Sequence, residues 1–195
     1  MLGTRNTRRK VGQDAIALLK KDHEKVKGLL NKLARSKDRD TQRNIFAQID
    51  NDLQMHTRIE EEIFYPAFRA AVKDKSQTRL YFEAVEEHHV VDLVLPEMRT
   101  SRLSKEIFLA KAKVLKDVVQ HHIEEEENEM FPKARKALGS QQLEDLAIRM
   151  QRRKNQLSVG MWDQSLEILN PFVSRTLKTS SRQNTGRTAS KRRAA

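Results

Sequence analysis

Residues 56–66 read His-Thr-Arg-Ile-Glu-Glu-Glu-Ile-Phe-Tyr-Pro, and residues 122–132 read His-Ile-Glu-Glu-Glu-Glu-Asn-Glu-Met-Phe-Pro. Both follow one pattern: His, Glu four and five places on, an aromatic residue, then Pro at the tenth place. Residues four apart project from one face of a helix, about one turn from each other. His56 with Glu60, and His122 with Glu126, therefore each aim a nitrogen and an oxygen at one place. The neighbours support helices here. Ile45, Ile49, Leu53, Ile59 and Ile63 share the stripe of the first pair, and Leu115, Val118, Val119 and Met130 that of the second. An ionised Glu on such a stripe is costly unless something positive lies beside it.

The repeat extends outward. Each copy is preceded by a histidine that follows an acid, Asp22-His23 and Glu87-His88. Val26, Leu29, Leu30 and Leu33 after His23 match Val91, Val94, Leu95 and Met98 after His88, position for position. The chain reads as two helix pairs related by a pseudo-twofold. Periodicity predicts helices over about 13–34, 41–72, 76–99 and 104–138, with a fifth starting near Ser140 and carrying Leu143, Leu146, Ile148, Met150 and Leu157. Pro66 is expected to kink the second segment or end its regular part. Gly139 is expected to stop the fourth. No stretch alternates with period two, so the expected fold class is all-α: an up-down-up-down four-helix bundle with an additional C-terminal helix and disordered basic tails.

His23, His56, His88 and His122 bring four imidazoles to one cavity, and Glu60 and Glu126 add two carboxylates. A single tetrahedral zinc would use four ligands at most. Two metal ions with five or six mixed ligands suit the set better, iron first and manganese second. His89 and His121, on poorer core faces, are expected to point outward, with His88 rather than His89 as the third-helix ligand. Glu61 and Glu127 are expected to be solvated.

The 195 residues suit one domain with tail to spare, 37% hydrophobic and 33% charged, with only six glycines. No cysteine is present, so disulfides and thiolate sites are excluded. No apolar run is long enough for a membrane span, and the N-terminus does not read as a secretion signal, so a cytoplasmic location is expected. The net charge of +11 sits at the ends: four basic residues and no acid in 1–12, seven and no acid in 171–195, and a neutral body between. We expect a basic tail over 1–12, a metal-binding bundle over 13–157 and an extension over 158–195. Such tails are usually solubilising, although they can also hold nucleic acid by charge alone.

In these residues the chain resembles the hemerythrin-like (HHE cation-binding) family: His23, His56-x3-Glu60, His88 within Glu-His-His, and His122-x3-Glu126, with the phrases at 61–66 and 129–132 matching its metal-helix signatures. The resemblance implies a non-haem di-iron centre with bridging carboxylates and an oxo or hydroxo bridge. The sequence departs from the oxygen carriers of that family. They have two histidines four apart on the third helix, whereas Ala84 and Asp92 flank His88 here, and their last motif is His-x4-Asp. A site poorer in imidazole favours redox turnover over reversible oxygen binding. The expected function is handling or sensing a small oxidant (O2, peroxide or nitric oxide), the alternative being iron storage, buffering or a structural metal. A ferritin-like oxidase would want two Glu-x-x-His motifs, and only Glu86 to His89 supplies one.

Overall fold

In the computed structural model of the chain, the described residues are 14–100 and 102–169, with side chains as far as Ser158 apart from Gln77. Among them there is no strand. Six α-helices follow in order: α1 Ala15–Arg35, α2 Arg39–Ile59, α3 Tyr65–Ala71, α4 Lys75–Arg99, α5 Lys105–Glu125 and α6 Phe131–Leu169. The expected tails at 1–12 and 171–195 lie outside the described residues.

Side chains that stand in for the missing turn set each start. Asp14 accepts from the Ala17 amide (2.8 Å), Asp38 from Thr41 (2.8 Å), Asp74 from Ser76 (2.6 Å) and Ser104 from Ile107 (3.3 Å). The connections between long helices are short, which makes sequence neighbours antiparallel. α1 packs on α2 and α5, and α4 packs on α5.

Pro66 does end the regular spacing of α2, but not by a kink. Five residues, Glu60–Phe64, form a π turn in which the Tyr65 amide reaches back to the Glu60 carbonyl, and α3 resumes with Pro66 in its first turn. The same turn recurs at Glu126–Met130, where the Phe131 amide bonds the Glu126 carbonyl and Pro132 follows. A proline inside a helix lacks its N–H and crowds the carbonyl four residues back. Widening the turn removes that conflict, and each widened turn begins at a motif glutamate.

Gly139 interrupts α6 with φ +71° and ψ 171°, a conformation essentially reserved for glycine, so the expected stop is where the chain changes direction. Beyond it Leu143, Leu146, Ala147 and Met150 are buried, while Ile148, expected inside, is 53% exposed. Ala147 takes the inward place because it continues the 143–146–150 spacing. Contacts divide the chain between Lys154 and Asn155, and the described backbone of the second unit, 155–169, is helical.

The buried apolar residues of the first unit fall into two clusters. One contains Leu19, Ile59, Phe64, Tyr65, Phe68, Phe131 and Met150, and the other Leu30, Phe46, Ile49, Leu53, Leu95, Leu115 and Val119. The motif histidines lie along the helices between these two, so the polar layer is closed off at both ends by hydrophobic packing.

Candidate metal centre

All six motif residues are buried, with Glu60 at 0% and Glu126 at 1% exposure. The Nε2 atoms of His23 and His56 are 3.2 Å apart, and so are those of His88 and His122. Glu60 Oε2 lies 3.2 Å from His56 Nε2 and 3.3 Å from His88 Nε2. Glu126 Oε2 lies 3.2 Å from His23 Nε2 and 3.6 Å from His122 Nε2. Each carboxylate therefore touches one imidazole from each pair. Donors about 3 Å apart are what one ion bound at about 2.1 Å requires of adjacent ligands. Two buried groups, His23–His56–Glu60–Glu126 and Glu60–His88–His122, have donor sets able to hold a metal ion.

The outer nitrogens explain why the inner ones are free. Nδ1–H of His23 donates to Glu127 (2.9 Å), that of His88 to Glu61 (2.9 Å) and that of His122 to Glu87 (2.9 Å), while His56 Nδ1 faces Asp22 at 3.7 Å. A carboxylate can only accept, so each bond fixes the tautomer with the Nε2 lone pair turned inward. Support crosses the pseudo-twofold: His23 of the first helix pair rests on Glu127 of the second, and His88 of the second rests on Glu61 of the first. Glu61, exposed as expected, and Glu127, half-buried rather than solvated, are both partners of the site as well, a role the sequence reading did not give them. The π turns are the reason, since they turn the residue after each inner glutamate toward an imidazole. Asp22 and Glu87 preceded the histidines in the sequence reading but had no assigned role.

The electrostatics suit a cation at this place. Glu60 Oε1 and Oε2 and Glu126 Oε2 are buried without a hydrogen-bond donor. Burial, then the neighbouring Glu126 charge, holds the Glu60 carboxyl well above the usual range. Glu126 is held low: burial opposes ionisation, but the His122 charge and the His23 hydrogen bond outweigh it. Burial and like charge thus favour the neutral carboxyl at Glu60, and the imidazoles favour the charged one at Glu126. Burial pushes His56 down to about 4 despite Asp22, whereas Glu126 raises His23 and His122 against burial.

The pseudo-symmetry breaks at one pair of rings. Tyr65 stacks on His88 (centroids 5.5 Å apart), and its equivalent Phe131 stacks on His23 (5.7 Å). The Tyr65 hydroxyl donates to Glu126 Oε1 at 2.9 Å, and Phe131 has nothing to offer Glu60. A cavity of about 10 Å³ is lined by the four inner histidines together with Val26, Leu53, Thr57, Val91, Val119 and Ile123. His89, Glu86 and Asp92 are exposed, and His121 is 64% exposed, as expected for residues outside the centre.

Comparison with known proteins agrees with this geometry. The chain is 29% identical over 153 residues to a protein of Nostoc named DNA nickase, covering 78% of this chain and 42% of that one, so it spans less than half the length of that relative. It is also 29% identical over 146 residues to uncharacterized proteins of Mycobacterium bovis and Mycobacterium tuberculosis, covering 74% of this chain and 87% of theirs. No solved structure matches. The family model for the hemerythrin HHE cation-binding domain matches residues 14–134, most of the chain and every inner histidine and glutamate described above, and the chain belongs to that family.

Proposed function

We propose that the chain holds two metal ions, iron in preference to manganese, on His23, His56, Glu60, His88, His122 and Glu126, and that this centre reacts with or senses a small oxidant such as O2, peroxide or nitric oxide. The observation that supports this most is the pair of buried carboxylates, each reaching imidazoles of both pairs with oxygens that have no donor. Mixed nitrogen and oxygen ligands without thiolate suit iron or manganese. Bound iron would supply a redox-active cation with a position open to the oxidant.

The chain's own residues do the rest. Glu61, Glu87 and Glu127 hold His88, His122 and His23 in the tautomer that offers Nε2. Glu60, where burial favours the neutral carboxyl, would have to be ionised to hold a cation, and Tyr65 fixes Glu126 through its hydroxyl. Phe64, Phe131 and Ile59 keep bulk water from one side of the layer. The cavity of about 10 Å³ beneath the imidazoles has room for about one water-sized guest against mostly apolar walls. Fewer imidazoles than in oxygen carriers, with exposed Asp92 where a further ligand would stand, favour turnover over reversible binding.

The test is metal content of the purified chain with its absorption spectrum, beside those of a His56→Ala/His122→Ala variant. About two irons per chain, with ultraviolet bands lost in the variant and perturbed by peroxide, O2 or nitric oxide, is the expected result. A variant with unchanged metal content would sink the site, and tight iron binding with no response to any oxidant would favour storage or buffering.

A nucleic-acid role has separate support in the acid-free, seven-residue positive charge of 171–195 and in the printed name of the Nostoc relative. Binding of that kind weakens steeply with salt and would vanish when 171–195 are removed. A truncated chain that still bound DNA would reject it.

A further inference from the structure

His121 is the one histidine neither buried nor exposed alone. Its Nε2 stands 3.6 Å from Glu87 Oε1 and 3.5 Å from Glu125 Oε1. The three side chains, two from α5 and one from α4, bring one donor atom each to within 4.8 Å of the others. A His and a Glu four apart on one helix make an ordinary surface pair. Glu87 changes that, because it arrives from another helix and splits its carboxylate. Oε1 faces outward to His121, and Oε2 accepts from Nδ1 of the inner His122 at 2.9 Å.

Glu87 and Glu125 also line a narrow crevice whose other walls include His122 and Glu126. Glu126 carries a buried oxygen, Oε2, that has no donor. The crevice is closed to water in this conformation, but it places the half-buried Glu87 and Glu125 against the wall that carries this unsatisfied ligand side chain of the centre. The pseudo-twofold provides an internal control. The residues equivalent to Glu87, His121 and Glu125 are Asp22, Met55 and Ile59. Two of these cannot take a hard cation, and Asp22 is held by Lys154 at 2.6 and 2.7 Å. One side of the layer is closed by an apolar pair and a lysine, while the other presents a nitrogen and two carboxylates.

We propose that Glu87, His121 and Glu125 form a surface site for a divalent cation such as Fe2+ or Mn2+, and that it captures the ion for transfer past Glu87 into the buried centre. The transfer half rests on the function proposed above; the surface site does not. Transfer is a ligand exchange with no redox step: the ion leaves His121 and Glu125, stays on Glu87 while that side chain turns, and is taken by His122 and Glu126.

The experiment counts Mn2+ bound per full-length chain, from the free-ion paramagnetic signal, in three proteins. These are the parent, His121→Ala/Glu125→Gln (Glu87 is kept because it also supports His122), and His23→Ala/His88→Ala. The outer variant should bind one ion fewer than the parent, and the inner variant should retain the outer ion. An outer variant that binds as many ions as the parent overturns the surface site. Stopped-flow loading at low metal then reads the transfer. The outer variant should fill the buried centre about tenfold more slowly, with the difference vanishing at high metal, since local capture raises on-rates by roughly 10- to 1,000-fold. Equal loading rates overturn transfer. If the inner variant binds as many ions as the parent, the buried-centre reading fails and transfer with it, while the outer count still decides the surface site.

Discussion

An imidazole gives its Nε2 lone pair to a metal only when Nδ1 carries the proton, and at three of the four imidazoles a carboxylate, Glu127, Glu61 or Glu87, holds that arrangement here. Replacing Glu61 or Glu127 by Gln keeps the size and removes the charge. Metal affinity should fall about 10- to 100-fold for each, read by competition with a coloured chelator; a loss below about threefold would mean that these bonds only decorate the surface. Tyr65→Phe removes the donor to Glu126 Oε1 and should destabilise the metal-free protein by about 1.5–3 kcal/mol in chemical denaturation, the usual range for a hydrogen bond to a charged group. At this scale the inner ligands were legible because helical spacing and apolar neighbours mark them. Their partners were not. On a regular helix the residue after an inward glutamate turns well away from it, so Glu61 and Glu127 looked solvated; only the π turns bring them back.

Those turns show why helices were easier to foresee than their irregularities. Apolar stripes bound the elements to within a few residues, although the caps Asp14, Asp38, Asp74 and Ser104 that fix the starts were not singled out, and Gly139 was read as a stop from its type alone. Pro66 was legible as a disturbance, yet a proline can kink, end or widen a helix, and sequence does not choose among these. Pro66→Ala with Pro132→Ala restores the amides and lets both turns tighten. Helix content by circular dichroism should hold, while metal affinity drops at least tenfold as Glu60 and Glu126 rotate. Unchanged affinity would show that the turns persist without proline. Gly139→Ala meets no atom, so its cost is backbone strain alone, about 1–3 kcal/mol of unfolding free energy.

Across the molecule the buried layer ties stability to pH. In the metal-free protein the folded pKa of His23 and of His122 lies above 6.5 and that of Glu60 above 4.5, so the folded state binds more protons than the unfolded one there, and that stability is lost as pH rises through the folded values. His56, at about 4, acts the other way: between 6.5 and 4 the unfolded chain takes the proton, and stability falls with acid. Melting temperature in chelator should therefore drop as pH rises above 6.5, and added metal, which takes the place of those protons, should remove the drop. A chelated protein that melts higher at the alkaline end would contradict the protonated pair. Metal at about 100 times its Kd adds about 2.7 kcal/mol, so stripping it should lower the melting point at any pH in this window.

The crossed support of His23 by Glu127 and of His88 by Glu61 has a consequence for assembly. Neither helix pair can complete its own pocket, because each keeps one imidazole whose orienting carboxylate belongs to the other. A half-length copy would lack one orienting carboxylate in isolation and regain it only when doubled. In the fused chain the same interdependence means that an undocked hairpin has one imidazole without its orienting carboxylate and should hold a cation more weakly than the assembled bundle.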